Sequence, residues 1–176
     1  MVSQRRRASG FTLIEVMIVI VIGGILMAVA VPSIKTLLNN QKMKSATFDL
    51  VTTAMFARSE AIKWGGVSGS SISIVAAGSN FSNGWCIVFT STTACSVSAP
   101  ADGVMQIIKP TAGITYAYQG TVAPIVFGRS GRLAGGVAVK LLVTDIDGFA
   151  APRCVKFDTN GNASVWVMTT GAPSCS

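Results

Sequence analysis

Residues 10–32 read GFTLIEVMIVIVIGGILMAVAVP, and this stretch decides the architecture of the chain. Between Phe11 and Val31 the only polar or ionisable side chains are those of Thr12 and Glu15. As an α-helix these residues would span about 31 Å, which matches the roughly 30 Å hydrocarbon core of a bilayer. The sequence therefore predicts a membrane-spanning helix near the N-terminus.

The segment before this stretch is basic, because it carries Arg5, Arg6 and Arg7. Positive charge ahead of an apolar run holds that end on the cytoplasmic side of the membrane. The whole chain has 14 basic and 7 acidic residues, a net charge of +7, and without these three arginines 11 basic residues remain, or +4. This modest charge permits contact with nucleic acid or acidic surfaces but argues for neither.

Two simpler interpretations of the N-terminus are a secretory signal peptide and an uncleaved membrane anchor. The basic start, the apolar run and the small residues of Ala28-Val29-Ala30 support the signal peptide. However, the apolar run exceeds the usual 7–15 residues of such peptides and contains an acid. A carboxylate costs about 2.5–3.5 kcal/mol at the centre of a bilayer and less near its edge, so Glu15 needs a functional reason that a plain anchor does not provide.

The six residues Gly10-Phe11-Thr12-Leu13-Ile14-Glu15 resemble the class III leader-cleavage motif of type IV pilins and type II secretion pseudopilins. The resemblance implies that prepilin peptidase cuts after Gly10 and N-methylates Phe11. Residues 1–10 would then be a leader peptide, residues 11–64 a transmembrane and assembly helix, and residues 65–176 a globular head. It further implies that Glu15 faces the N-terminal amine of a neighbouring subunit, and that Pro32 kinks the helix.

The same resemblance implies the partners and the location of the protein. The partners are other major and minor pilins, the prepilin peptidase and N-methyltransferase, the assembly platform of the inner membrane, and membrane lipid before assembly. The subunit would cross the bacterial inner membrane once, with a periplasmic head, and then enter an extracellular pilus.

The glycine pair Gly23-Gly24 weakens the helix by about 2 kcal/mol. Two roles for this pair stay open, close packing against another helix and local melting in the filament.

After Pro32 the apolar residues keep a helical spacing as far as Trp64, and Gly65-Gly66 is a helix stop. We predict one helix from Thr12 to Trp64, whose second half is amphipathic and packs against the head. Two adjacent apolar faces are predicted to lie in the core rather than in a binding groove. The first contains Leu50, Ala54, Ala57 and Ala61, and the second contains Phe48, Val51, Met55 and Ile62.

From Ser70 onward, short β-like runs alternate with turn signals such as Asn83-Gly84, Asp102-Gly103, Asp147-Gly148 and Asn160-Gly161. The predicted strands are Ser70–Ala76, Trp85–Thr90, Val104–Ile108, Ile114–Tyr118, Val122–Phe127, Val137–Val143, Arg153–Phe157 and Ala163–Met168. The fold class is therefore α+β and pilin-like, with a long N-terminal helix, half transmembrane and half amphipathic, packed on a C-terminal two-sheet head.

The four cysteines Cys86, Cys95, Cys154 and Cys175 form no C-x-x-C pair, and the chain has no histidine to complete a metal site. With an export-like N-terminus they indicate two disulfides and an oxidising compartment. Three connectivities are open. Cys86–Cys95 with Cys154–Cys175 is favoured, because each bond closes a local segment at low entropic cost.

The sequence predicts neither an enzyme nor a resident cofactor. Without histidine no Ser-His or Cys-His pair can form, and the acidic residues are scattered along the chain. Asp145-Ile146-Asp147-Gly148 and Asp158-Thr159-Asn160-Gly161-Asn162 suggest calcium loops, but neither matches a full EF-hand. We interpret both as turns, so no metal site is predicted.

The group of minor pilins that includes FimU, FimT and GspH is the nearest resemblance for the head. It rests on Ala57-Arg58-Ser59-Glu60-Ala61 and on Phe127-Gly128-Arg129-Ser130-Gly131-Arg132. Pilins commonly close their C-terminal region with a disulfide, as Cys154–Cys175 would. The resulting hypothesis is a minor pilin of a type IV pilus, at its tip or in its initiation complex; a GspH-like pseudopilin of a type II secretion system is an alternative.

A second alternative is a DNA-binding minor pilin for natural transformation. Phosphate contacts need only convergent basic side chains, and a solvated face is the competing interpretation. In the competence-associated branch, the resemblance has an arginine-rich Gly-Arg-x-Arg where this chain has Gly161-Asn162-Ala163-Ser164, which argues against DNA binding. The candidate phosphate-binding residues are Arg129, Arg132, Lys140, Arg153 and Lys156.

Overall fold

A computed structural model describes residues 10–64, 71–89, 94–98, 103–120, 124–168 and 174–175. Residues 1–9 and Gly65-Gly66, on which the leader and the helix stop were predicted, lie outside the described residues, as do parts of three predicted strands. By its internal contacts the chain divides into two compact units, Met1–Leu37 and Leu38–Ser176.

One helix, α1 (Leu13–Trp64), contributes to both units. It begins one residue later than predicted, because Thr12 acts as its cap: the backbone N–H of Glu15 donates to Thr12 Oγ1 at 3.3 Å. The helix continues through Pro32, and the Thr36 hydroxyl donates to the Pro32 carbonyl at 3.2 Å. The kink predicted at Pro32 stays a prediction.

In the first unit the helix is exposed on all sides. Every described residue from Gly10 to Leu37 is exposed except Gly23, which is half-buried. Among the described residues this is the one helix long and apolar enough to cross a membrane, judged by length and composition. Such exposure of an apolar segment requires a covering that the described part of the chain does not supply.

The described residues of the second unit form eight strands in two antiparallel four-stranded sheets. The first sheet has the order β3-β2-β1-β5 and the second the order β4-β6-β7-β8. The strands are β1 (Ile72–Ala76), β2 (Trp85–Phe89), β3 (Val104–Ile108), β4 (Ile114–Tyr118), β5 (Ile125–Phe127), β6 (Val139–Asp145), β7 (Arg153–Phe157) and β8 (Ala163–Val167). The predicted α+β architecture with a long helix and a two-sheet head is confirmed.

The boundaries of two strands differ from the prediction for backbone reasons. Strand β5 begins only after Pro124, which has no N–H to donate to a ladder. Strand β6 begins and ends two residues late. Gly135 and Gly136 before it have positive φ angles of +88° and +66°, which bend the chain away from the extended conformation.

The core of the second unit lies between the two sheets and one face of α1. The helix contributes small side chains there, which let the sheets approach closely, and larger strand residues such as Trp85, Phe127 and Phe157 fill the space between them. The indole N–H of Trp85 donates to Thr53 Oγ1 at 3.2 Å, which satisfies a buried donor. The fully buried helix residues are Met43, Ala46, Leu50, Ala54, Ala57 and Ala61.

The prediction that the second apolar face of the helix is core is wrong for Phe48, Met55 and Ile62 and holds in part for Val51, which packs against the core. Phe48 is 66% exposed, Met55 64% and Ile62 54%, and Val51 is half-buried. The physical reason is that the two sheets cover only the arc centred on Leu50 and Ala57, which is one side of the helix.

Candidate functional site

The apolar helix carries one acidic residue in its first turn, Glu15. Beside it is a shallow concavity of about 240 Å³ lined by Phe11, Glu15, Val16, Val19 and Ile20. Glu15 is exposed, and among the described residues it makes no salt bridge. An acid on an otherwise apolar surface is therefore free to meet a positive charge from outside the protomer.

Thr12 and Glu15 also form half of a capping box, which sequence reasoning missed. The motif is Thr-x-x-Glu at the start of a helix, and Thr12 Oγ1 accepts from the Glu15 backbone N–H. Because the donor is a backbone group, changing the Glu15 side chain leaves this hydrogen bond in place. The cap thus explains where the helix begins but does not require the carboxylate.

Gly23 and Gly24 have no close neighbour among the residues with described positions, apart from the local helix backbone. A Cβ atom at either position would meet nothing within 4 Å outside the local helix backbone. Packing inside this chain therefore does not require these glycines, and both predicted roles, close contact with another helix and local melting, stay open.

Three segments meet at the C-terminal end of α1, and we call this contact the glycine junction. It consists of the helix end 58–62, the loop 128–133 that follows β5, and the turn 158–162 between β7 and β8. Arg58 Nη1 donates to Asn162 Oδ1 at 2.6 Å, and the Leu133 N–H donates to the Thr159 carbonyl at 3.1 Å. The junction therefore fastens the helix to the edges of both sheets.

Two glycines make this close approach feasible. A Cβ at Gly131, where φ is +72°, would lie 2.8 Å from Ile62 Cδ1 and 3.1 Å from Arg58 Nε. A Cβ at Gly161, where φ is +80°, would lie 2.1 Å from the Gly131 carbonyl oxygen. The two head motifs of the sequence are thus neighbours in the structure, namely Ala57–Ala61 and Phe127–Arg132. Their contacts here hold the helix against the head.

The two segments considered as calcium loops form turns whose carboxylates accept hydrogen bonds from the protein. Asp158 accepts from the Asn162 N–H at 2.8 Å and from its side-chain amide at 3.3 Å. The backbone hydrogen bond from Asn162 lowers the pKa of Asp158. A lowered folded-state pKa contributes stability above the unfolded-state pKa, and this contribution is lost as the pH falls through the folded value.

The other turn is held by Asp145, which joins it to the helix. Asp145 Oδ2 accepts from the N–H groups of Phe149 and Ala150 at 2.9 and 3.1 Å, and from the side-chain amide of Asn39 at 3.1 Å. Asn39 is one of the few buried polar residues of the helix. Sequence reasoning did not find this contact, because an asparagine on a helix gives no indication of a partner 106 residues away.

The predicted basic patch does not gather on one face. Lys140 on β6 lies directly opposite Lys156 on β7, and Lys140 Nζ donates to the Cys175 carbonyl at 2.7 Å. Arg153 lies three residues from Lys156 on the same strand and therefore points to the opposite face of the sheet. Arg129 and Arg132 are exposed in the loop after β5. Arg153 is thus separated from the lysine pair by the sheet, and the DNA-binding role of the basic residues stays a prediction.

Both disulfides have the pairing favoured by the sequence. Cys86 in β2 is bonded to Cys95, with a Cα–Cα distance of 5.6 Å, and Cys154 in β7 is bonded to Cys175, with a distance of 5.7 Å. The second bond packs with Met168, Leu142 and Trp166 in a small apolar cluster on the outer face of the second sheet. It ties the C-terminal segment to a central strand.

Removing the second disulfide should cost more stability than removing the first. The bonds join residues 21 and 9 positions apart, and loop-closure entropy predicts about 3 kcal/mol for each, with the larger value for the longer loop. We expect Cys154→Ser/Cys175→Ser to lower the urea midpoint of the full chain in detergent more than Cys86→Ser/Cys95→Ser does. The reverse order would show that the C-terminal segment contributes little to the head, and non-reducing peptide mapping checks both pairings directly.

Two family models match the chain. Residues 5–31 match the prokaryotic N-terminal methylation motif, and residues 46–162 match the type II transport protein GspH. No curated protein sequence matches the chain significantly.

Solved structures show a similar fold. The type IV minor pilin FimU of Pseudomonas aeruginosa is 16% identical with a TM-score of 0.54, covering 75% of this chain and 92% of FimU. A second crystal form of FimU is 17% identical with a TM-score of 0.53, covering 70% of this chain and 91% of FimU. The minor pseudopilin EpsH from the type 2 secretion system of Vibrio cholerae is 13% identical with a TM-score of 0.48, covering 72% of this chain and 97% of EpsH. At these identities the likeness to FimU shows the fold alone.

Proposed function

The chain belongs to the GspH family of minor pilins and pseudopilins, and on that premise we propose that it is a minor pilin of a type IV pilus. It acts by assembly and carries out no chemistry of its own. Its place is at the tip of the pilus or in the complex that initiates it. The members of this family assemble with other pilins and are processed by prepilin peptidase.

The observation that carries the proposal is the exposed apolar half of α1, whose first turn holds a carboxylate with no salt bridge to any residue that the structure describes. In the membrane, lipid covers the apolar side chains. In a filament, the helices of neighbouring subunits replace the lipid. Cleavage between Gly10 and Phe11 creates a cationic amine at the new N-terminus, close in sequence to Glu15.

The pairing of Glu15 with a neighbour's amine would act as a check on subunit register. A charge pair away from water is favourable only with good geometry, and removing one partner leaves an uncompensated charge. A misplaced subunit would bury Glu15 without its amine, which costs several kcal/mol in a water-poor bundle. A correctly placed subunit satisfies both charges at once.

A pseudopilin of a type II secretion system is the second candidate, because the matching family is named for type II transport. The Cys154–Cys175 bond favours the pilus, since a disulfide that closes the C-terminal region is common among pilins. Recovery of the protein in sheared pili supports the pilus. Recovery only with a secretion pseudopilus, together with loss of protein export in a deletion strain, would select the second candidate.

Processing gives a direct test of the proposal. We expect the mature protein to begin at Phe11 and to carry an N-methyl group, because residues 5–31 match the methylation motif. Intact-mass analysis of the membrane-extracted protein would detect both the loss of residues 1–10 and the added methyl group. A mature chain that begins at Val31 would show removal of a signal peptide after Ala30, and an unprocessed chain would show a simple anchor.

A further inference from the structure

Three large apolar side chains are exposed at one end of the second sheet. Ile146 is 66% exposed, Phe149 45% and Val167 59%. Ile146 and Phe149 lie in the turn between β6 and β7. Val167 is the last residue of β8 and pairs with Arg153, the first residue of β7. We call Ile146, Phe149 and Val167 the apolar tip, which thus lies where β6 ends, β7 begins and β8 ends.

The gathering of these side chains at one end distinguishes them from exposed apolar residues scattered singly, which are normal on any protein. Among the described residues that follow the helix, five large apolar side chains are exposed, and the tip holds three of them. The others are Val137, which precedes β6 at the opposite end of the sheet, and Val165, in the interior of β8. Exposed apolar side chains gathered at one place mark an interaction surface.

The turn that carries Ile146 and Phe149 is held by hydrogen bonds to one carboxylate. Asp145 accepts from the backbone N–H groups of Asp147 at 3.3 Å, of Phe149 at 2.9 Å and of Ala150 at 3.1 Å. These bonds fix the backbone of the turn before it meets any partner. Docking of its two apolar side chains therefore requires little further loss of conformational entropy.

The same carboxylate ties the turn to the part of α1 that follows the predicted membrane span. The side-chain amide of Asn39 donates to Asp145 Oδ2 at 3.1 Å, and Asn39 is the first buried residue of the helix. It follows Val31, the last residue of the apolar run, by eight residues, which is about 12 Å of α-helix. The head-group layer on each side of the hydrocarbon core is about 5–8 Å thick. The tip is therefore held within reach of the lipid surface that α1 crosses.

The charges of the turn favour lipid over a protein as its partner. Residues 145–150 contain two acids, Asp145 and Asp147, and no basic residue. Asp147 is exposed and lies between Ile146 and Phe149 in the sequence, so a tight protein interface would bury its carboxylate. The hydrated head-group layer leaves that carboxylate in water while the apolar side chains reach the acyl boundary. Anionic lipid gains no attraction from these acids, so apolar contact has to supply the binding.

We infer that the apolar tip docks on the membrane that α1 crosses, with Ile146, Phe149 and Val167 in the interfacial layer of the lipid. This inference rests on the proposed function, because a subunit stays in the membrane before it is assembled. It gives the head a defined position on the bilayer, and assembly then has to remove the tip from the lipid. A second copy of this chain is the occupant that the experiment must distinguish from lipid.

The first readout is the accessibility of nitroxide spin labels on the full chain in phosphatidylcholine vesicles. Labels are attached at Ile146→Cys and, as a matched control, at Val137→Cys, a 71% exposed position beyond the other end of β6. The native cysteines are all in disulfides and take up no label. An aqueous nickel chelate is present on both sides of the membrane. We expect it to collide with the Ile146 label at least about threefold less often than with the Val137 label, because interfacial side chains lie about 5–10 Å within the boundary.

Three outcomes of this measurement decide between the occupants. Equal collision rates for the two labels would overturn the inference. Protection of the Ile146 label that disappears when the chain is diluted with excess lipid would assign the tip to a second copy and would overturn it as well. Protection that persists on dilution and at high salt supports contact with lipid, since apolar contact is not screened by salt.

The second readout removes apolar side chains from the tip and measures a label at Val167→Cys. In Ile146→Gln/Phe149→Gln we expect the collision rate with the nickel chelate to rise at least about twofold, because the apolar area that binds lipid is lost. Val137→Gln is the control and should leave the rate unchanged. An unchanged rate in the double variant with a wild-type urea midpoint, or an equal rise in the control, would contradict the inference.

A label at Val21→Cys separates the inference from the proposed function. Val21 lies in the middle of the apolar run and is 62% exposed. If its label is open to the nickel chelate, the chain does not span the membrane, and the proposed location and the inference fail together. If the Val21 label is protected and the Ile146 label is not, only the inference is wrong. The assembly role is tested by Glu15→Val in filaments and depends on neither label.

Discussion

Gly161→Ala is expected to lower the free energy of unfolding of the second unit by about 3 kcal/mol or more. The alanine would have to adopt a φ of +80°, which costs an L-residue about 1–2 kcal/mol. Its Cβ would also lie 2.1 Å from the Gly131 carbonyl oxygen, a backbone atom held by the loop and helix of the glycine junction. Overpacking against such a rigid neighbour typically adds 1–3 kcal/mol.

Gly113→Ala is the matched control for this prediction. Gly113 has nearly the same φ, +83°, but a Cβ there would meet nothing within 4 Å. Only the conformational cost should remain, so we expect a loss of about 1–2 kcal/mol. Urea titration of the full chain in detergent, followed by tryptophan fluorescence, measures both variants. Equal losses in the free energy of unfolding would mean that the glycine junction relaxes around the new Cβ without cost. The junction would then not fasten the helix to the sheets.

The main elements of the fold could be predicted from the sequence because local patterns define them. The apolar run of 10–32, the helical spacing up to Trp64 and the turn dipeptides of the head are all readable within short windows. Each predicted strand corresponds to one of the eight observed strands. Periodicity, however, shows that a helix face is apolar and does not show what covers it. The structure was needed to find Phe48 and Met55 exposed.

Contacts between distant segments could not be predicted for a similar reason. Arg58 and Asn162 are 104 residues apart, and Asn39 and Asp145 are 106 apart. Nothing in either local sequence specifies the other, since the pairing arises only when both sheets close on the helix. The arrangement of the basic residues could not be predicted either, because strand alternation places Arg153 on the other face of the sheet from Lys156.

Glu15→Val is expected to leave membrane insertion and leader processing unchanged and to reduce incorporation into filaments at least tenfold, about 1.4 kcal/mol or more. Insertion persists because the substitution removes a carboxylate from an apolar segment, which favours the bilayer. Processing persists because the bond between Gly10 and Phe11 is unaltered, and the Thr12 cap persists because it uses the backbone N–H of residue 15.

The loss of incorporation follows from the missing counter-charge. In a bundle that excludes water, the neighbour's N-terminal amine would be buried without a partner, and an unpaired buried charge costs several kcal/mol. Glu15→Gln serves as the control for shape, because it keeps the size and hydrogen-bonding capacity of the side chain while removing its charge. We expect it to fail almost as completely as Glu15→Val if charge is the determinant.

Each variant is expressed beside wild type, and its membrane level, its N-terminal mass and its recovery in sheared pili are compared. Normal recovery of Glu15→Gln with loss of Glu15→Val would assign the role to hydrogen bonding, whereas normal recovery of both would show that Glu15 does not determine assembly.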